Sequence, residues 1–196
     1  MAVDVRVFLY NESEFLTLSS ILKPLSSVVN FLPDYARPGY DVSLCSFEGG
    51  EIEGPWGCHV STRSINDFTD CAHTFVICGG PGFEAALNVP GLIDAMRRQA
   101  AGAKRLCVAG AGVFLAAEAG LISTEAVAAH TSLAPWLKLR HPQLRPDNTA
   151  LLVGDDLLLT CAGFSAGIDL ALTLIERDWG YRIAVNVAKY LMVYKK

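Results

Sequence analysis

Apolar positions along this chain come in short continuous or alternating runs, separated by stretches in which they recur at helical spacing. Val5-Arg6-Val7-Phe8-Leu9-Tyr10 is rich in β-branched and aromatic residues and ends in polar Asn11-Glu12-Ser13, the pattern of a strand feeding a loop. Ser13 stands where it could cap the next element. Phe15, Leu18, Ile21, Leu22, Leu25, Val28 and Val29 then follow a helical period, with Pro24 inside the segment and Pro33 near its end. Tyr40 to Phe47 alternates apolar and polar residues and runs into Glu48-Gly49-Gly50, a strand and a tight turn, and residues 51–60 read as a short hairpin. Thr74-Phe75-Val76-Ile77-Cys78 is continuously apolar and closes on Gly79-Gly80-Pro81-Gly82, as expected of a central parallel strand covered on both faces.

The same alternation continues to the end. A helix is predicted over Leu92 to Ala101, and a strand over Arg105 to Ala109 that runs into Gly110-Ala111-Gly112. A small-residue helix follows from Val113 to Ala119, closed by Gly120. Ala126 to His130 reads as a further strand with a helix around Leu133 to Leu139 behind it. Residues 151–160 form a hairpin turning at Gly154-Asp155-Asp156, and two helices, Ser165 to Arg177 and Arg182 to Val193, finish the chain. Strands alternating with helices predict a single α/β domain: a flavodoxin-like three-layer sandwich with a mostly parallel central sheet and helices on both faces. Right-handed crossovers place the βα loops along one sheet edge, where ligands bind in such folds. The candidate pocket is therefore Asn11-Glu12, Gly79-Gly80-Pro81, Gly110-Ala111, His130-Thr131 and Gly163-Phe164.

Composition narrows the class. With 196 residues, 52% hydrophobic and 18% charged, the chain can bury one sizeable core. Its longest apolar runs fall far short of the roughly 20 residues that span a bilayer, so no membrane partner is expected. The N-terminal stretch lacks the basic region and cleavage site of a secretory signal, which points to the cytoplasm. Net charge is −4 and the basic residues gather on no one helix face, so this domain has no electrostatic footprint for nucleic acid. Six cysteines occur without CxxC spacing, which predicts neither a zinc cage nor a redox pair, and Cys45, Cys78, Cys107 and Cys161 lie in apolar runs where a thiol packs as a small hydrophobe. No metal or cofactor motif appears. His59, His73 and His141 fall in predicted loops and read as solvated. Trp56, Trp136 and Trp179 read as core or interface aromatics, and the stripe Ile168, Leu172, Ile175 as core.

Four segments in order carry a family resemblance. They are Phe15-Leu16-Thr17-Leu18-Ser19 with Pro24-Leu25 and Asn30; Val76-Ile77-Cys78-Gly79-Gly80-Pro81-Gly82; Phe114-Leu115-Ala116-Ala117-Glu118-Ala119-Gly120-Leu121; and Leu159 to Leu170. Together they resemble the PfpI-type, class I glutamine amidotransferase-like domains, in particular the effector half of AraC-family transcriptional regulators. The end of the chain, Ala188 to Val193, resembles the last helix of such effector domains. The resemblance implies a homodimer that binds a small-molecule effector, with DNA contacted through a C-terminal helix-turn-helix domain absent from this sequence.

In catalytic members of that superfamily a cysteine sits on a sharp strand-to-helix turn, with a histidine from the following strand and an acid from the first loop nearby. Aligned on Phe114-Leu115, the cysteine position here is Gly110. Thr17 falls at the acid position of some enzymes, with Glu12 and Glu14 close by, and His130 is the one expected member present. Losing the nucleophile of a catalytic unit costs roughly 10⁶ in turnover, about 8 kcal/mol of barrier. The resemblance thus implies a non-catalytic sensor with no catalytic residues, binding an uncharged or anionic metabolite. The alternative is a hydrolase, hydratase or glyoxalase-type enzyme using a displaced cysteine, for which Cys161 is the plausible substitute. Two smaller questions stay open. His130 is either a ligand donor or a strand-end histidine bonded to a carbonyl, and Gly79-Gly80 either present amides to a ligand or supply positive φ.

Overall fold

Val3–Phe8 (β1) can occupy the middle of a sheet because both its faces are apolar: Val5 and Val7 face one side, Phe8 the other, and all three are fully buried. The computed structural model describes residues 2–123 and 125–193. After β1 come α1 (Phe15–Ser27), β2 (Tyr40–Ser46), and a hairpin of β3 (Gly50–Glu53) and β4 (His59–Ser64). Next are β5 (Thr74–Ile77), α2 (Phe83–Leu87), α3 (Leu92–Ala101), β6 (Arg105–Ala109) and α4 (Gly112–Glu118). The chain continues through β7 (Ala126–Ala128), α5 (Ala134–Arg140), β8 (Arg145–Asp147), β9 (Leu152–Gly154), β10 (Leu158–Cys161), α6 (Ala166–Trp179) and α7 (Tyr181–Tyr190).

The main sheet has the order β3-β4-β2-β1-β5-β6-β10-β9. Pairing is parallel from β4 through to β10, and only the edge strands β3 and β9 run antiparallel. Period-two alternation then sorts the core into two layers. Val5, Val7, Val76, Cys78, Cys107 and Ala109 face α1, α6 and α7. Phe8, Phe75, Ile77 and Val108 face α3 and α4. This is the three-layer sandwich expected from the sequence. Among the described residues no helix is long and apolar enough to cross a membrane.

Four local expectations change. The segment Ala126–Ala128 is a strand, but it pairs in parallel with β8 in a separate two-stranded sheet. It leans on the main sheet through the Ala128 N–H, which donates to Thr160 Oγ1 at 2.8 Å. Ser13 does not cap α1: its hydroxyl accepts from the Tyr10 N–H at 3.0 Å, and Glu14 is the cap, accepting from the Leu16 N–H. The last helix stops at Tyr190 rather than Val193. His141 is buried at 8% exposure against Phe114, not solvated, and burial pulls its imidazole pKa down. Pro24, although inside α1, does not end it.

At the opposite end of the sheet from the βα loops, one ion pair ties α6 to the strands. The Arg105 guanidinium donates to both carboxylate oxygens of Asp178 at 3.1 and 2.8 Å, and also to Thr74 Oγ1. The Tyr40 hydroxyl donates to Asp178 at 2.9 Å. The side chains of Arg105 and Asp178 are 5% and 11% exposed, so removal of either strands a charge in a dry environment. Asp178→Ala is expected to lower the unfolding free energy by about 3–5 kcal/mol in urea titration, while Asp34→Ala, which breaks the exposed pair with Arg37, changes it by less than about 1 kcal/mol.

Candidate functional site

The loops that leave β5, β6 and β10 meet at the carboxyl edge of the sheet with no side chain between them. A Cβ at Gly79 would overlap the Ala109 carbonyl oxygen, and one at Gly80 would overlap the Glu12 carbonyl oxygen. Neither residue has positive φ, so close backbone approach, and not turn geometry, is what demands glycine there. Gly110 differs. Its φ of 52° makes the sharp strand-to-helix turn, and a Cβ added there would meet only Gly163 Cα at 3.5 Å, the Ala162 oxygen at 3.8 Å and Gly79 Cα at 4.0 Å. A Cβ at this position would therefore be admitted at ordinary van der Waals distance, with space above the loops beyond it.

That space is a cavity of about 180 Å³. The structure brings Glu14, Thr17, Gly79, Gly80, Pro81, Gly110, Ala111, His130 and Gly163 to its wall, together with Phe164. Asn11 and Thr131 are not part of it. Asn11 lies across the β1–α1 loop and lines a different cavity, because the Glu53 N–H donates to its Oδ1 and holds it toward the β3–β4 hairpin. Thr131 is exposed to solvent, and its neighbour Ser132 takes the place expected for it. Phe83, Ser132, Leu133 and Ala162 complete the wall and were not singled out from the sequence. Phe83 follows directly on the Gly79-to-Gly82 loop, which was the available signal.

Most of the wall is apolar side chain or glycine backbone, and the polar groups are few and oriented. His130 Nδ1 accepts from the Ser132 N–H at 3.3 Å and lies 2.8 Å from Ser132 Oγ. A backbone N–H can only donate, so the neutral ring carries its hydrogen on Nε2. The ring edge meets Phe164 at 5.4 Å between centroids. Phe164 itself holds a left-handed backbone, φ 50°, pinned by α1: its N–H donates to Thr17 Oγ1 and its carbonyl accepts from Ser20 Oγ, each at 2.7 Å. Thr17 thus serves as an acceptor that fixes the β10–α6 loop. On the other wall Phe83 stacks on Phe114 at 4.4 Å and 17°. Among the hydrogen bonds of the described residues none uses the N–H of Gly80 or Ala111, and both residues line the cavity. Glu14 is the single carboxylate in the wall, and no lysine or arginine lines it.

No thiol reaches this cavity. Cys161 is buried, and burial pushes its thiol up to about 12, so it stays protonated through neutral pH. Cys107, on the core face of β6, is likewise pushed up to about 12 by burial. Among the described residues no His/Cys/Asp/Glu group has the arrangement to hold a metal ion. Two measurements follow. A colorimetric thiol titration of the native protein at pH 8 is expected to modify only the exposed Cys58 and Cys71, with the other four reacting after denaturation. Gly110→Ala is expected to cost about 1–2 kcal/mol, the strain of a left-handed alanine, whereas Gly80→Ala, whose Cβ has nowhere to go, costs more than that in the same urea assay.

Comparison with known proteins agrees with this fold. The sequence pattern of the DJ-1/PfpI family matches residues 9–177. Over 117 residues the chain is 35% identical to the HTH-type transcriptional regulator Rv1931c of Mycobacterium tuberculosis, a stretch that takes in 58% of this chain and 38% of that protein. Drosophila melanogaster DJ-1beta superposes with a TM-score of 0.82 at 21% identity, over 99% of this chain and 100% of that one. An AraC family transcriptional regulator from Pseudomonas putida superposes with a TM-score of 0.80 at 19% identity, over 96% and 99%. At those identities the structural likeness speaks for the fold alone. The family pattern covers most of the chain, with the glycine turns and the cavity they enclose inside the matched span, and the protein belongs to the DJ-1/PfpI family.

Proposed function

We propose that this domain is a non-catalytic, ligand-sensing effector domain of an AraC-family transcriptional regulator, and that it binds a small metabolite in the cavity above Gly110. The observation that carries the reading is the turn itself: where a nucleophile would project, Gly110 offers only hydrogen, and His130 has no thiol within the cavity to activate. A cavity of about 180 Å³ holds a molecule of roughly benzene size or slightly larger. Its apolar wall, the free amides of Gly80 and Ala111 and the Nε2–H of His130 suit an uncharged compound with a hydrogen-bond acceptor. Glu14 in the wall weighs against an anion.

The acidic net charge and the lack of a basic face leave DNA contact to another domain of the intact protein. The regulator named above, of which the matched stretch is 38%, supports that arrangement. A cytoplasmic homodimer completes the reading, with the dimer placing DNA-binding units at a fixed spacing. The enzymatic alternative has less support, because Cys161, its proposed nucleophile, is buried, held protonated and outside the cavity.

Screening a metabolite library by thermal unfolding tests the reading. A ligand at one hundred times its Kd adds about 2.7 kcal/mol, about 5–10 °C for a domain of this size. A few related compounds are expected to give such shifts, and Gly110→Phe, whose ring fills the cavity, is expected to abolish them while the variant stays folded. A full shift in Gly110→Phe, or turnover that disappears in Cys161→Ser, would overturn the proposal.

A further inference from the structure

A second and larger cavity, about 390 Å³, opens where β1 and β2 end, on the far side of the β1–α1 loop from the first. Its floor is apolar and buried, formed by Tyr10, Ile52, Ala86 and Leu92. Its deep polar groups are already satisfied: the Tyr10 hydroxyl donates to the Gly80 carbonyl at 3.3 Å, and Ser46 Oγ accepts from the Gly49 N–H at 3.0 Å while pairing with Thr62. The walls are preformed, since the Glu12 N–H donates to the Glu53 carbonyl at 2.7 Å and locks the hairpin against the β1–α1 loop. Selectivity must therefore come from the rim. There Glu48 and Glu51 are exposed, no lysine, arginine or histidine lines the cavity, and neither glutamate joins an ion pair among the described residues.

An apolar floor beneath two uncompensated carboxylates has a definite chemical complement. We propose that this cavity is a second binding site, for a small organic cation: an ammonium or guanidinium head carried on an apolar body. The body displaces water from Ile52, Ala86 and Leu92, and the head rests at the rim, where Glu48 and Glu51 favour positive and repel negative charge. The first cavity has no cluster of unpaired rim carboxylates of this kind, so the two sites take different chemistry, and this one stands whether or not the first senses a metabolite.

Three probes of one shape and different charge test it on the full chain by isothermal titration: 2-phenylethylammonium, 2-phenylethanol and 3-phenylpropionate. The ammonium is expected to bind roughly tenfold tighter than the alcohol and more than that over the carboxylate, which the glutamates repel, and to weaken as salt rises. The Glu48→Gln, Glu51→Gln double variant is expected to lose roughly tenfold for the ammonium alone, since two exposed charge contacts are worth up to about a factor of ten together. Ala85→Trp, which fills the cavity from an exposed position, removes the binding, and Gly110→Phe in the first cavity leaves it unchanged. The proposal is overturned by failure of all three probes to bind, by equal affinity for the three, by full ammonium affinity in the double glutamine variant, or by binding that survives Ala85→Trp.

Discussion

Backbone touching backbone at the carboxyl edge of the sheet is the constraint from which the rest of this structure follows. A Cβ at Gly163 would stand 3.0 Å from Gly110 Cα, and a Cβ at Gly79 would run into the carbonyl that precedes Gly110. Three loops are thus held at a separation set by main-chain atoms, with no side chain to act as a spacer or to move aside. The hydrogen bond from the Gly110 N–H to the Cys161 carbonyl, 2.9 Å, extends the parallel ladder right up to the turn. A floor built this way is stiff, and it can change little without breaking sheet hydrogen bonds.

Side chains then decide what stands above the floor. On one side the Phe83–Phe114 stack and Pro81 make an apolar wall that continues into the α3–α4 layer of the core. On the other, α1 reaches across with two hydroxyls, Thr17 and Ser20, to hold the N–H and carbonyl of Phe164. The same helix supplies Glu14, whose carboxylate caps α1. One short segment, residues 14–20, therefore contributes a cap, a cavity wall and the clamp on the neighbouring loop. Its packing against α6 joins the site to the core layer that also contains α7.

Much of the fold was legible because the central strands of the main sheet are covered on both faces. Phe75–Cys78 and Leu106–Ala109 read as uninterrupted apolar runs, and the glycines after them marked the loops that line the cavity. What escaped was local and had no periodic signal. Arg145–Asp147 contains a proline and two charged residues, so nothing in it announces a strand, and without that partner Ala126–Ala128 was not separable from the main sheet. Phe83–Leu87 is one turn and a half, too short for periodicity to register. Asn11 and Thr131 were placed by lying in the same loops as residues of the cavity wall, but neither reaches that wall. Glu12, at φ 64°, separates Asn11 from Glu14 and sends them to opposite sides of one loop. Nothing in the sequence marks such a reversal, since a glutamate rarely adopts that conformation.

The clamp on Phe164 also indicates how a ligand in the first cavity would be felt in the sensing role proposed above. A ligand shifts a conformational equilibrium only by its difference in affinity between two states, so some contact it makes must exist in one state and not the other. The glycine floor is too rigid to supply that difference. Phe164 is not: the residue is 44% exposed, its backbone sits in a strained left-handed region, and two hydroxyl hydrogen bonds hold it there. It lies at the head of α6, two residues before the helix begins, with its ring against His130. In the proposed role, a molecule filling the space between Phe83 and Phe164 would stabilise the clamped arrangement by contact with that ring, and anything that favours release of the clamp would disfavour the ligand by the same free energy. In that role, because α6 packs against both α1 and α7, the start of α6 is the point at which occupancy of a cavity with a rigid backbone floor would become a movement of helices.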